Sequence, residues 1–216
     1  MAASPTRRTI LCPLEIEAKG LRRADLPGHI VVCGPGESAI ENTVRELFEQ
    51  SGPCHLVLAG LAGGLEATIR PGDAHWISHV LDLEGNLIAR SPQRAEGAGK
   101  SICTVQTAVE TASAKRSLHQ ATGADLVDME SQRFVEVCVE LGIAWEILRG
   151  VSDEANHDLP PGSLDLVDSR GKPRMRKVIR YLARNPLRIL SLMKLARRAS
   201  RAMKHVAIEL KRDSSQ

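Results

Sequence analysis

HLVLAGLAGG, residues 55–64, is an aliphatic run that ends in two glycines. A short continuous apolar run bounded by glycine reads as a strand buried on both faces. Outward from it the chain alternates. Residues 9–12 and 29–33 are predicted to be short buried strands. GPGES (34–38) then leads into Ile40, Val44, Leu47 and Phe48, one face of a helix that Gly52 closes. Further strands are expected over 73–81, 101–105, 124–127 and 143–151, with helices over 111–121 and 130–141. Residues 83–100 are polar and glycine-containing, and read as a hairpin or a flexible loop. Alternating strands and helices predict an α/β fold with a mostly parallel or mixed sheet, whose site lies beyond the carboxyl ends of the strands.

The 216 residues are 43% hydrophobic but only 2% aromatic, so the core must be built from Leu, Val, Ile and Ala. No run approaches the roughly 18 apolar residues that cross a bilayer, and no signal-peptide h-region precedes the first acidic residues. A cytoplasmic protein is expected. Cys12, Cys33, Cys54, Cys103 and Cys138 form no CxxC pair, and most sit in apolar runs. Neither a structural zinc site nor a disulfide framework is expected. Charge is uneven: Arg170 onward holds 15 Lys/Arg against 2 acids, whereas residues 1–169 hold 14 against 24. The chain is an acidic body with a basic tail.

Polar clusters follow the apolar strands: Glu15 and Glu17 after TILCP, Asp128-Met129-Glu130 after Val127, and Ser152-Asp153 after EILRGV. Gly60-Leu61-Ala62-Gly63-Gly64 adds backbone N–H groups and room for a ligand. Taken singly, Glu15 and Glu130 read as acids at helix starts, Asp153 as a turn cap and Met129 as core. If these strands are parallel, the four ends meet in a carboxylate-rich pocket with a glycine floor. Arg149 is the one cation close in sequence. Such a pocket suits hydroxyl-rich, neutral or cationic ligands and suits phosphate poorly.

CPLEIEA, AGLAGGLEATIRPGD, LVDMES and LRGVSDEAN, in this order over residues 10–158, resemble the purine nucleoside phosphorylase and methylthioadenosine/S-adenosylhomocysteine nucleosidase superfamily. The tail LARNPLRILSLMKLARRASRAM is similar to that of its hopanoid-associated phosphorylase-like subgroup. The resemblance implies a three-layer α/β/α sandwich with a central mixed twisted sheet and a C-terminal helical extension. It implies that Glu130 bonds the ribose hydroxyls, that Met129 packs on the sugar, and that Ala62 and Gly63 line the sugar and nucleophile region. Asp153, oriented by Ser152, would donate a proton or a charge-assisted hydrogen bond to purine N7. Glu17 aligns with the acid that positions water in the nucleosidases. Asp128 ties down the turn. Proton donation needs Asp153 protonated near neutral pH, which burial or neighbouring acids would have to bring about. Leu58 and Leu61 stand where phosphorylases carry anion-binding residues, so water is the preferred nucleophile. Leu61 also departs from the Ser or Thr common in nucleosidases, and Gln106 stands where a base-recognition acid is usual.

After Asn185-Pro186, apolar residues recur at Ile189, Met193, Ala196, Ala199, Met203, Val206 and Leu210, interleaved with Arg197, Arg198, Arg201 and Lys204. Two helices are expected, over about 172–184 and 187–211. The second packs on the domain or a partner subunit, or lies on an anionic membrane surface. The scarcity of aromatics argues against nucleic acid. The expected organisation is a nucleoside phosphorylase-like domain over 1–170 and a basic helical extension over 171–216. The expected activity is cleavage of the N-glycosidic bond of an adenine-type ribonucleoside, by water rather than phosphate, without metal or cofactor, in a homo-oligomer. The alternatives are phosphorolysis, and an inactive or non-enzymatic ligand-binding module with a membrane- or partner-binding tail.

Overall fold

The computed structural model describes residues 8–24, 26, 28–52, 54–94, 99–160, 174 and 189–214. In chain order they form β1 (Arg8–Cys12), α1 (Glu15–Arg22), β2 (His29–Val32), α2 (Glu37–Ser51), β3 (His55–Gly64), β4 (Ala74–Leu81), β5 (Leu87–Arg90), β6 (Lys100–Thr104), α3 (Ala112–Thr122), β7 (Leu126–Asp128), α4 (Ser131–Glu140), β8 (Ala144–Asp153) and α5 (Ile189–Asp213). Within the segment expected to be a hairpin or a loop, β5 pairs antiparallel with β4 and makes a hairpin.

The sheet is mixed. β2, β1, β3 and β8 run parallel. β8 then pairs antiparallel with β4, β4 and β6 pair parallel, and so do β6 and β7. β7 returns antiparallel to the end of β3, at Gly63↔Val127 and Gly64↔Leu126. Five strands therefore close on themselves, which ten-residue β3 permits by overshooting β1. α2 and α4 cover one face over Leu58, Phe134, Val137 and Ile147. α1 and α5 cover the other over Val57, Ala59 and Leu148. This is the expected α/β/α sandwich around a mixed sheet.

The two faces of α5 divide the tail. Ala202, Met203, Val206, Ala207 and Leu210 are buried against α1 and β8, whereas no described side chain from Leu190 to Arg201 is. Gly150 makes that packing possible: a Cβ there would lie 2.9 Å from the Ala202 Cβ. The helix expected over about 172–184 lies outside the described residues, apart from residue 174. No helix among the described residues is long and apolar enough to cross a membrane.

The amino end of β8 is clamped by charge. Buried Glu146 meets Arg8 (3.3 Å), His55 (3.0 Å) and Arg94, and both arginines also reach Asp213 of α5. Arg94 lies 3.7 Å over the Trp76 ring, and Arg8 5.8 Å from it. The remaining buried charges lie towards the carboxyl ends of β1, β3 and β8.

Candidate active site

Three of the expected strand ends, those of β1, β3 and β8, are parallel. The fourth runs the other way, and this is what gathers the site. Because β7 is antiparallel to β3, its last residue points back along β3 from Gly63 towards Gly60, which faces Arg149 on β8. Asp128 and Glu130 are thereby delivered to Arg149.

Arg149 is fully buried. Its Nη2 donates to Asp128 Oδ2 and lies 3.4 Å from Glu130 Oε2. Burial works against its charge, but Asp128, Glu130 and Glu17 more than offset this and hold the guanidinium above its ordinary value. Its Nε and Nη1 meet no acceptor among the described residues. A Cβ on Gly60 would sit 2.5 Å from Arg149 Nη1 and 2.8 Å from Glu17 Oε1, so glycine alone leaves room for both groups.

Glu17 is 2% exposed. Its Oε1 accepts from Leu61 N–H and its Oε2 from Leu14 N–H, each at 2.8 Å. The second bond is half of a capping box at the start of α1. Burial pushes its carboxyl up to about 7, although Arg149 and the two N–H groups pull the other way. Glu15, two residues earlier, instead pairs with Arg22 at the surface (2.9 Å).

Glu130 occupies the N-cap of α4, yet its side chain makes no capping bond. Oε1 accepts instead from Gly36 N–H at 3.0 Å, beside which a Cβ would meet open space. Burial raises its carboxyl too, with Arg149 opposing. Asp128 does the capping. It accepts from Ser131 N–H (3.2 Å), Thr104 Oγ1 (3.0 Å) and Ser131 Oγ, and so holds the turn. Met129 between them is half-buried. The capping expectation for Glu130 thus passes to Asp128, which frees the Glu130 carboxylate to face Arg149.

The second group of site residues lies three residues further along β3. Asp153 is buried, within 3.4 Å of where a Gly63 Cβ would be. Ser152 Oγ donates to Asp153 Oδ1 and lies 3.2 Å from the Ala62 carbonyl. The unanticipated member is Lys115 of α3, fully buried, whose Nζ donates to Asp153 Oδ2, Glu154 O (2.9 Å) and His157 O (3.1 Å). Of the two causes expected to act on Asp153, burial is present, whereas its ionic neighbour is an ammonium and not an acid. One signal was available: Lys115, Leu118 and Thr122 share one face of α3, so a lysine stands on an apolar stripe.

Two poles result. Glu17, Glu130 and Arg149 gather at Gly60, and Asp153, Ser152 and Lys115 at Gly63, about 10 Å away along the strand. Leu58 is buried in the core and faces no site; Leu61 supplies its N–H to Glu17; Gln106 is exposed. No cluster of three or more His, Cys, Asp or Glu able to hold a metal occurs among the described residues.

Comparison with known proteins bears on the fold. The phosphorylase superfamily model matches residues 94–184. No curated protein sequence matches significantly. Among solved structures, a Helicobacter pylori methylthioadenosine nucleosidase variant with 5′-methylthioadenosine in its active site superposes with a TM-score of 0.66 at 13% identity, covering 98% of this chain and 99% of that one. Helicobacter pylori futalosine hydrolase gives 0.65 at 13%, covering 97% and 98%. A putative methylthioadenosine/S-adenosylhomocysteine nucleosidase from Francisella philomiragia gives 0.63 at 16%, covering 95% and 98%. The segment that matches the phosphorylase superfamily model spans the strand that carries Arg149, Ser152 and Asp153, and the chain shares the fold of these nucleosidases.

Proposed function

We propose that the chain hydrolyses the N-glycosidic bond of an adenine-type ribonucleoside. The observation that carries this is the pair of poles on β3. Cleavage of an N-ribosyl bond builds positive charge on the sugar and negative charge on the departing base, so it needs two differently charged environments a nucleoside's length apart. Glu130 and Glu17 stabilise the oxocarbenium-like sugar electrostatically, and Glu130 and Met129 form the ribose wall. Water sits between the Glu17 carboxylate and the unpartnered N–H groups of Arg149. Its oxygen bonds to C1′ as the C1′–N9 pair passes to the base, and Glu17, poised near neutrality, takes its proton. Asp153, held by Ser152 and Lys115, relays to N7 a proton that the Lys115 ammonium supplies. Ala62 and Gly63 leave room for the sugar.

Solvent supplies the nucleophile and no cofactor takes part. The reading includes a cytoplasmic homo-oligomer. A narrower form, motivated by the basic tail, gives the substrate a large apolar 5′ group such as that of an adenosyl lipid in hopanoid synthesis. Phosphorolysis is the second reading, because Arg149 Nε and Nη1, which meet no acceptor among the described residues, also suit an oxyanion. Free adenine, followed by chromatography from a panel of 5′-substituted adenosines with and without phosphate, tests both. Release without phosphate is expected. Strict phosphate dependence overturns hydrolysis, and intact nucleosides throughout overturn the reaction.

A further inference from the structure

The solvent face of α5 carries a pattern that the reaction does not use. Leu190, Met193, Arg197, Arg201, Lys204 and Ile208 follow at spacings of three or four and form one stripe, opposite the stripe buried against α1 and β8. Leu190 is 76% exposed, Met193 46% and Ile208 45%, so aliphatic side chains stand in water at both ends with cations between them. The span from Leu190 to Ile208 is about 27 Å. From Ile189 to Ile208 the chain has five Lys/Arg and no acid. α1 extends the face sideways. A groove of about 660 Å³ between the two helices has Ile16, Leu61 and Met203 in its wall and Lys19, Arg23 and Lys204 at its rim. Ile16 is 54% exposed. Lys19, Arg23, Lys194, Arg197, Arg201 and Lys204 have no carboxylate partner among the described residues, although acids elsewhere on these helices are paired: Glu15 with Arg22 and Glu209 with Arg212.

We infer that the joint face of α1 and α5 docks on the surface of an anionic lipid bilayer, with α5 lying in the plane of the headgroups. A single protein partner would be met by a few fixed polar groups around one buried anchor. This face instead spreads unpaired, flexible cations along the helix and flanks them with aliphatic side chains, the arrangement that charged headgroups and the acyl boundary complement together. The opposite charge of the remaining chain, 14 Lys/Arg against 24 acids over residues 1–169, turns the basic face towards an anionic surface and the body away from it. The inference is independent of the reaction proposed above.

Co-sedimentation of the full chain with phosphatidylcholine vesicles, alone or with about one-third phosphatidylglycerol, tests it. Binding is expected only to the anionic vesicles near 0.15 M salt, and is expected to vanish near 1 M, where the screening length falls to about 3 Å. Each cation at such a surface is worth about fivefold in partitioning, so Arg197→Glu with Lys204→Glu is expected to lower it by about 30-fold or more. Leu190→Ser with Ile208→Ser should weaken it as well, which adsorption by charge alone would not show. All four positions are exposed, and an unchanged thermal midpoint verifies that the variants fold. Equal sedimentation with neutral and anionic vesicles, or no binding to either, overturns the inference. So does a dimer in light scattering that Arg197→Glu with Lys204→Glu dissociates, because the face would then be a contact between copies.

Discussion

Replacing Lys115 with Met tests the base pole most directly. Methionine fills a similar volume on α3 but removes the ammonium that donates to Asp153, Glu154 O and His157 O. Asp153, itself buried, keeps only the hydroxyl of half-buried Ser152. Removing one member of a buried ion pair costs about 3–5 kcal/mol, mainly because the other charge is left uncompensated. A domain of this size holds about 5–15 kcal/mol, so the variant should remain folded but unfold in less urea. Adding Asp153→Asn removes the stranded charge. The double variant should therefore be about 1–3 kcal/mol more stable than the two single losses added together. If the pair also serves proton delivery, Lys115→Met lowers kcat for adenine release by about 10²–10⁴ and changes KM little. Urea titration of all four proteins, alongside single-substrate kinetics, reads both effects. Losses that add within about 0.5 kcal/mol, with kcat intact, would refute the assignment of Lys115 to the site.

Glu17, raised to about 7 in the folded chain, makes two pH predictions. Base release should climb as pH passes through about 7 and Glu17 ionises. Stability should run the opposite way: the folded state holds the extra proton, so the benefit is complete below about 4.5 and is lost as pH rises through about 7, a change of about 3 kcal/mol. Glu17→Gln should abolish the rate dependence and remove the Glu17 share of the stability dependence in kinetic and urea-unfolding pH series, leaving the part of the same sign that Glu130 contributes. Gly60→Ala drives a methyl group into Arg149 Nη1 and Glu17 Oε1; a loss of about 1–3 kcal/mol and more than 100-fold in kcat is expected from urea titration and kinetics. Gly150→Ala presses on Ala202 instead; it should cost a similar stability by overpacking while release of adenine persists.

Most of the framework was legible because it rests on local patterns. The aliphatic run at 55–64, the stripe beginning at Ile40 and the glycines closing α2 and α4 each lie within a dozen residues, and the structure reproduces them. What escaped depends on direction and distance. The sequence of β7 does not disclose that it runs antiparallel to β3, yet that reversal brings Asp128 and Glu130 to Arg149. Lys115 and Asp153 are 38 residues apart and share no motif. Glu130 was readable as a cap by position, but Asp128, two residues earlier, takes the backbone donors. The tail showed one apolar stripe from Ile189 to Leu210. Only from Ala202 onward does Gly150 admit the helix to the sheet, and so only that half is buried.

The two ends of the sheet show why buried charge alone would not have located the site. Glu146 at the amino end is as deeply buried as Glu17, but Arg8 of β1, His55 of β3 and Arg94 before β6 converge on it, and the Nε atoms of Arg8 and Arg94 that lack acceptors belong to guanidinium groups set near or over the Trp76 ring. Through Asp213 that cluster fastens α5 to β8. At the carboxyl end Arg149 lies fully buried with two donor atoms unmatched among the described residues, next to a glycine that keeps space clear and a carboxyl held near neutrality. Leaving buried donors unsatisfied costs about 1–3 kcal/mol per group, a penalty that folding alone gives no reason to retain. A ligand oxygen that fills those donors recovers the cost on binding. Unmatched donors occur at both ends, but only at Gly60 does a glycine keep space clear beside them and a carboxyl stand near neutrality, which is the physical reason to assign chemistry to that end of the sheet and mechanical support to the other.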